Sequence, residues 1–138
     1  MVRCWGFETV VGILVKASFW GVASPISVLN CYGPYRNREI FWDNILSGGL
    51  LSIPNLILGG DLNLTLSASE TWGSKAILDP LASHFRLMFD SVYLVDVAQP
   101  DSGPTWRNGR VGEAGISKRL DRFLISSSLL PAFNLHCV

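Results

Sequence analysis

Charge is scarce in this sequence: only 16% of its 138 residues are Asp, Glu, Lys or Arg, against about 25% in an ordinary soluble domain. Eleven basic and eleven acidic residues cancel, and the isoelectric point lies near 6.7. The simplest signal for nucleic-acid binding, a global basic excess, is therefore missing. Cysteine is sparse as well. Cys4, Cys31 and Cys137 are odd in number and have no close pair, which excludes a disulfide framework and predicts no disulfide-linked partner. No C-x-x-C or H-x-x-x-H spacing offers a zinc site, and a reducing compartment is the expectation. Neither repeats, heptads nor low-complexity linkers occur, so a disordered tail, a collagen-like chain and a coiled coil are excluded. The first eight residues lack the basic start and long apolar block of a secretory signal. The mostly apolar stretch 10–29 is interrupted by Lys16, Ser18, Ser24, Pro25 and Ser27. A central lysine alone costs about 2.5–3.5 kcal/mol on membrane-insertion scales, so two buried strands joined by a turn fit better than a span. An intracellular protein, nuclear or cytoplasmic and without a membrane partner, is the expectation.

What is present is apolar: 49% of the residues are hydrophobic and the mean hydropathy is +0.32. The length suits one domain with a real core. Residues 9–15 and 26–32 are short β-rich runs separated by Gly21 and Pro25. Residues 36–46 have helical spacing, with Phe41 and Ile45, and Trp42 and Leu46, at i, i+4, and Gly48-Gly49 stops them. Residues 55–58 form a continuous apolar run, as buried central strands do, and Gly59-Gly60 is expected to end it. Asp79-Pro80 reads as an N-cap and first helical residue. Behind it Leu81, Phe85, Met88, Phe89 and Val92 keep one apolar face. A short strand near Thr105-Trp106, a Gly-rich turn from Asn108 to Gly115 and a strand over 120–125 complete an α/β pattern.

Three loops carry candidate chemistry. In Gly59-Gly60-Asp61-Leu62-Asn63 a buried strand delivers an acid and an amide to one side, because alternate residues of an extended segment share a face. Such a pair can take a proton from water and hold its lone pair in line with a phosphorus or carbonyl centre; a plain turn-forming Asp and Asn is the alternative. In Asn30-Cys31-Tyr32-Gly33-Pro34, Tyr32 precedes a turn and can present its hydroxyl to a cleft. If a helical crossover makes the two strands parallel, Tyr32 and Asp61 reach the same sheet edge, where open α/β sheets place their sites. Between Arg107 and Arg122 lie Arg107, Arg110, Lys118, Arg119 and Arg122 against Glu113 and Asp121, a local net of +3. A solvated strand face and a phosphate-binding patch are both open readings, with Arg119 the candidate phosphate ligand.

Taken in order, Y-G-P, G-G-D-L-N, T-W-x-N and S-K-R-L-D-R-F-L resemble the endonuclease/exonuclease/phosphatase superfamily, the DNase I-like fold, and most of all the endonuclease domain of plant LINE-type (non-LTR) retrotransposons. Tyr35-Arg36-Asn37-Arg38 before Phe41-Trp42, Ser69-Glu70-Thr71-Trp72-Gly73 and Leu94-Val95-Asp96 also fit that subgroup. The resemblance is strongest over 26–130. It implies a four-layer α/β sandwich and Mg²⁺-dependent phosphodiester hydrolysis on DNA. Asp61 would orient or deprotonate the attacking water, Asn63 would hydrogen-bond the phosphate or the nucleophile, and Tyr32 and Thr105 would contact the phosphate oxygens. Asp121 would hold a catalytic histidine in its useful tautomer.

The resemblance also implies parts that these 138 residues do not supply: N-terminal strands with an Asn and a metal-binding Glu, and a closing Ser-Asp-His segment. Glu8-Thr9 looks like the metal-binding pair, but only 23 residues lie between Glu8 and Tyr32, too few for the strands normally between. Glu8 is thus read as a coil or strand-edge residue, His84 as a helix residue, and His136 as unrelated to the missing histidine; no metal ligand is retained. The expectation is one incomplete domain over 1–138, a fragment of a nuclease with little or no activity alone. A non-catalytic nucleic-acid-binding or relic module using the Arg107 to Arg122 segment is the alternative, and a phosphatase of the same fold ranks behind it. Uncovered sheet faces would account for the high hydropathy.

Overall fold

The computed structural model describes residues 3–9, in backbone course only, and residues 11–97 and 101–133. β1 (Arg3–Thr9) and β2 (Gly12–Ser18) form an antiparallel hairpin, and β2 pairs antiparallel with β3 (Ile26–Cys31). α1 (Arg38–Ser47) then crosses over to β4 (Leu56–Asp61), which runs parallel to β3. After β5 (Thr71–Trp72), α2 (Ala82–Ser91), β6 (Leu94–Asp96), β7 (Trp106–Arg107) and β8 (Ser117–Lys118), the chain returns through β9 (Asp121–Ser126). The six-stranded sheet has the order β1-β2-β3-β4-β9-β6, and a second sheet has the order β5-β8-β7.

Strand alternation builds the core. Leu29 and Cys31 of β3, Leu56 and Leu58 of β4, and Leu124 of β9 share one face, which Trp42 and Ile45 of α1 and Phe85 and Phe89 of α2 cover. The Trp42 ring meets Phe41 and Phe89 edge to face, at 5.4 and 5.8 Å between centroids. Ile57 and Ile125 belong to the opposite face, where they cluster with Ile26, Leu129 and Val97. β4 is covered on both faces, hence its unbroken apolar run. Beyond that cluster the outer face carries Ile13, Val28 and Phe123, of which Phe123 is 60% exposed. The described residues thus comprise one large sheet with helices on one side and a small companion sheet, part of the expected α/β sandwich.

Three expected boundaries move. The run 9–15 straddles a hairpin turn, because β1 ends at Thr9 and β2 begins at Gly12. Glu8 sits near the end of β1, the edge strand of the large sheet. β4 does not stop at Gly59-Gly60 but continues to Asp61, its ladder with β9 intact through both glycines. α2 starts at Ala82, preceded by a turn rather than by Asp79 as its N-cap. Asp79 still caps that turn, accepting the Leu81 N–H at 3.0 Å, but its main partner is Arg38. The stretch 10–29 contributes two antiparallel strands, and among the described residues no helix is long and apolar enough to cross a membrane.

Candidate active site

The parallel β3–β4 pairing brings Tyr32 and Asp61 to the same edge, as the helical crossover implied. β4 also pairs antiparallel with β9 in a register that sets Asp61 directly opposite Asp121. Directly opposed residues project from the same face of the sheet, and like charges there repel. Among the described residues no Lys, Arg or His pairs with either carboxylate. Tyr32 follows β3 and is 71% exposed. Thr105 reaches the same place from the other side: its Oγ1 accepts the N–H groups of Leu120 and Asp121, both at 3.0 Å. With both lone pairs used in this way, its O–H is left to donate.

Close backbone approach explains the glycines. A side chain at Gly60, whose φ is +129°, would put Cβ 2.2 Å from the Cys31 carbonyl oxygen, and a Cβ at Gly33 would stand 2.1 Å from that of Leu62. Only glycine lets these two loops touch. The Gly33 N–H donates to the Asp61 carbonyl at 2.8 Å, and Asn63 Nδ2 donates to the Gly33 carbonyl at 2.6 Å. The Asn63 N–H donates in turn to Asp61 Oδ1 at 3.1 Å. Asn63 itself has φ +52°, a left-handed conformation that a non-glycine residue keeps only when its surroundings impose it.

Arg38 supplies part of that constraint. Its guanidinium donates to the Asn63 carbonyl at 2.9 Å and grips Asp79 through two bonds, at 2.5 and 2.9 Å. Burial pushes the Asp79 carboxyl up, but the Arg38 hydrogen bond and charge, with the N–H groups of Leu81 and Thr65, outweigh it and hold Asp79 below its ordinary range. Arg38→Lys is expected to lower stability by about 1–3 kcal/mol, measured by urea unfolding, since an ammonium cannot make the paired contact and reach Asn63 as well. A cleft of about 320 Å³ opens beside Asn63, lined by Tyr35, Arg38, Asp79, Trp106 and Lys118 among others.

One sequence expectation fails here. Arg119 is not a free phosphate ligand: its side chain is 8% exposed, bonded to Glu70 Oε1 at 2.8 Å and Asp96 Oδ1 at 2.8 Å. Arg122 is fully buried and pairs with Glu70 at 2.9 Å and Asp96 at 2.7 Å. The +3 segment therefore spends two cations on an internal network, leaving Arg107, Arg110 and Lys118 against Glu113 and Asp121. Asp121, for its part, has no imidazole beside it among the described residues. His84 hydrogen-bonds Asp43 at 3.0 Å, and His136 lies outside the described residues. The buried thiol of Cys31, beside Tyr32, is pushed up to about 11 by desolvation, which favours its protonated form.

The Glu70–Asp96–Arg119–Arg122 network and the Arg38–Asp79 clamp were not anticipated. One signal was available for the first: Asp96 closes an apolar run, Leu94-Val95, and an acid drawn partly into an apolar surrounding needs a cation.

Sheet order, the parallel β3–β4 crossover and the edge where Tyr32, Asp61, Asn63, Thr105 and Asp121 converge belong to a DNase I-like fold. The chain is similar to the endonuclease domain of TRAS1, a telomere-specific non-LTR retrotransposon, at 18% identity and a TM-score of 0.71, over 94% of this chain and 58% of that one. It is also similar to NExo, a 3′ phosphatase from Neisseria bound to a product DNA hairpin (16% identity, TM-score 0.59, 86% of this chain and 53% of that one). A third likeness is to D. rerio TDP2 complexed with a single-strand DNA product (14%, TM-score 0.51, 91% and 55%). The chain thus spans little more than half the length of each. No protein-family model and no curated protein sequence matches it.

Proposed function

We propose that this chain is part of a Mg²⁺-dependent, phosphodiester-cleaving endonuclease of the LINE retrotransposon type, with little or no hydrolysis of its own. The observation that carries the reading is the Asp61–Asp121 pair, two carboxylates opposed at the ladder's end with no cationic partner among the described residues. Mg²⁺ is bound through one or two carboxylates plus substrate phosphates rather than by all-protein cages, and this oxygen pair fits it. When bound there it would supply Lewis-acid stabilisation of the phosphoryl oxygens. Asp61, steadied by the Asn63 N–H, orients and deprotonates the attacking water. The Asn63 amide keeps its Oδ1 for that water or its second N–H for phosphate, while the Tyr32 and Thr105 hydroxyls donate to phosphate oxygens as charge grows on them. DNA is the substrate this reading assigns, and the fold neighbours, two of them in complex with DNA, support it.

Little activity is expected because, among the described residues, no imidazole stands beside Asp121 to protonate the leaving oxygen. A supercoiled-plasmid assay of the whole chain in Mg²⁺ should show trace nicking at most, and Mg²⁺ should raise its melting temperature through Asp61 and Asp121. Vigorous nicking would overturn the claim of weak activity. A melting temperature indifferent to Mg²⁺, with no salt-sensitive DNA binding, would overturn the site itself.

A further inference from the structure

On the helical layer, Glu39, Asp43 and His84 converge. Glu39 and Asp43 stand four residues apart on α1, hence on one face and one turn above the other. His84 comes from α2, and its Nε2 lies 3.0 Å from Asp43 Oδ1. One ligand atom from each of the three lies within 4.8 Å of the others. Two metal–ligand bonds of about 2.1 Å at tetrahedral or octahedral angles put their ligand atoms about 3–3.5 Å apart. The imidazole and Asp43 already stand at that spacing, and the exposed Glu39 brings its carboxylate within 4.8 Å of both.

We propose that Glu39, Asp43 and His84 form a site for a divalent transition-metal ion of the zinc type, bridging α1 and α2. The donor set decides the class. One imidazole nitrogen with two carboxylate oxygens suits zinc and its neighbours, whereas Mg²⁺ and Ca²⁺ favour oxygen alone. The imidazole separates this site from a surface cluster of acids, and its ring is held edge-on against the buried Phe85 at 5.8 Å, so the nitrogen donor is oriented in advance. Charge agrees. Among the described residues neither carboxylate pairs with a lysine or arginine, and the neighbouring Arg38 is committed to Asp79. Three protein ligands leave further positions to water, as in open zinc sites.

Calorimetric titration of the whole chain with ZnCl₂, paired with thermal unfolding, tests this. One ion per chain and a raised melting temperature are expected. His84→Ala and Glu39→Gln should each weaken binding about 100-fold or more, since even outer-shell partners of a metal cost about 10–100-fold. His84 and Glu39 lie at the surface, and circular dichroism of each variant, with His84→Asn as a third, checks that the fold persists. With excess Mg²⁺ present to occupy the Asp61–Asp121 carboxylates, His136→Ala should bind Zn²⁺ as the unaltered chain does. Absence of Zn²⁺ uptake would overturn the site, as would uptake that survives His84→Ala or vanishes in His136→Ala.

Discussion

Replacing Arg122 with alanine should cost about 3–5 kcal/mol, the penalty for removing one partner of a buried ion pair, measured as the midpoint shift in urea unfolding. Small domains hold about 5–15 kcal/mol in total, so this variant approaches the unfolding limit. The guanidinium of Arg122 has no solvent exposure and bonds Glu70, Asp96 and the Leu64 carbonyl. Without it, Glu70 and Asp96 share only Arg119, and one partly buried negative charge is left over. The network joins parts of the chain far apart in sequence: the segment before β5, the end of β6 and the start of β9. Replacing Arg122 and Glu70 together by Met and Leu should therefore recover part of the loss, because well-packed apolar residues can substitute for a buried pair at little cost.

The same network makes the fold acid-labile. Burial alone pushes the Glu70 carboxyl up, but the Arg122 hydrogen bond and charge, the Leu66 N–H and the Arg119 charge outweigh it and hold Glu70 below its ordinary range. The folded state thus binds the Glu70 proton more weakly than the unfolded chain does. The stabilisation is complete above the ordinary glutamate value of about 4.3 and is lost as pH falls through the depressed one. Asp79 adds a contribution of the same sign, through Arg38.

Asp61→Asn should abolish whatever Mg²⁺-dependent nicking the chain shows, by about three orders of magnitude or more if Asp61 acts on the water. The melting temperature should move the other way. Removing one of two opposed carboxylates relieves a cross-strand repulsion of about 0.2–1 kcal/mol, so the variant should melt higher than the unaltered chain without Mg²⁺ and respond less to the ion. A structural aspartate would show the reverse, lower stability and an unchanged Mg²⁺ response. The opposition of signs separates an active-site carboxylate from a turn residue, the two readings that Gly-Gly-Asp-Leu-Asn leaves open.

Much of the scaffold was legible in local pattern. The i, i+4 pairs of 36–46 gave α1 to within two residues, the apolar run before Gly59 gave β4, and an extended segment on either side of a helix gave the parallel crossover. What pattern misjudged were glycines and charges. Gly59-Gly60 looks like a strand end, yet β4 passes through it, because Phe123 needs the room at Gly59 and the Cys31 carbonyl needs it at Gly60. Arg119 and Arg122 look like a basic surface, since a linear sequence cannot show that Glu70 and Asp96 lie within reach.

The sequence by itself determined both helices and the strands β2, β3, β4, β7 and β9 in order, the apolar faces that pack α1 and α2 on the sheet, and the residue types at the converging edge, because hydrophobic periodicity and turn chemistry act over a few residues; β1, β5, β6 and β8 appeared only in the structure. Only the tertiary structure decided which charges are spent internally, that Asp61 and Asp121 face each other, and that Arg38 reaches Asn63. Those outcomes depend on register and burial between segments about 25 to 60 residues apart, where electrostatic partners are set by the folded geometry and by the dielectric around them.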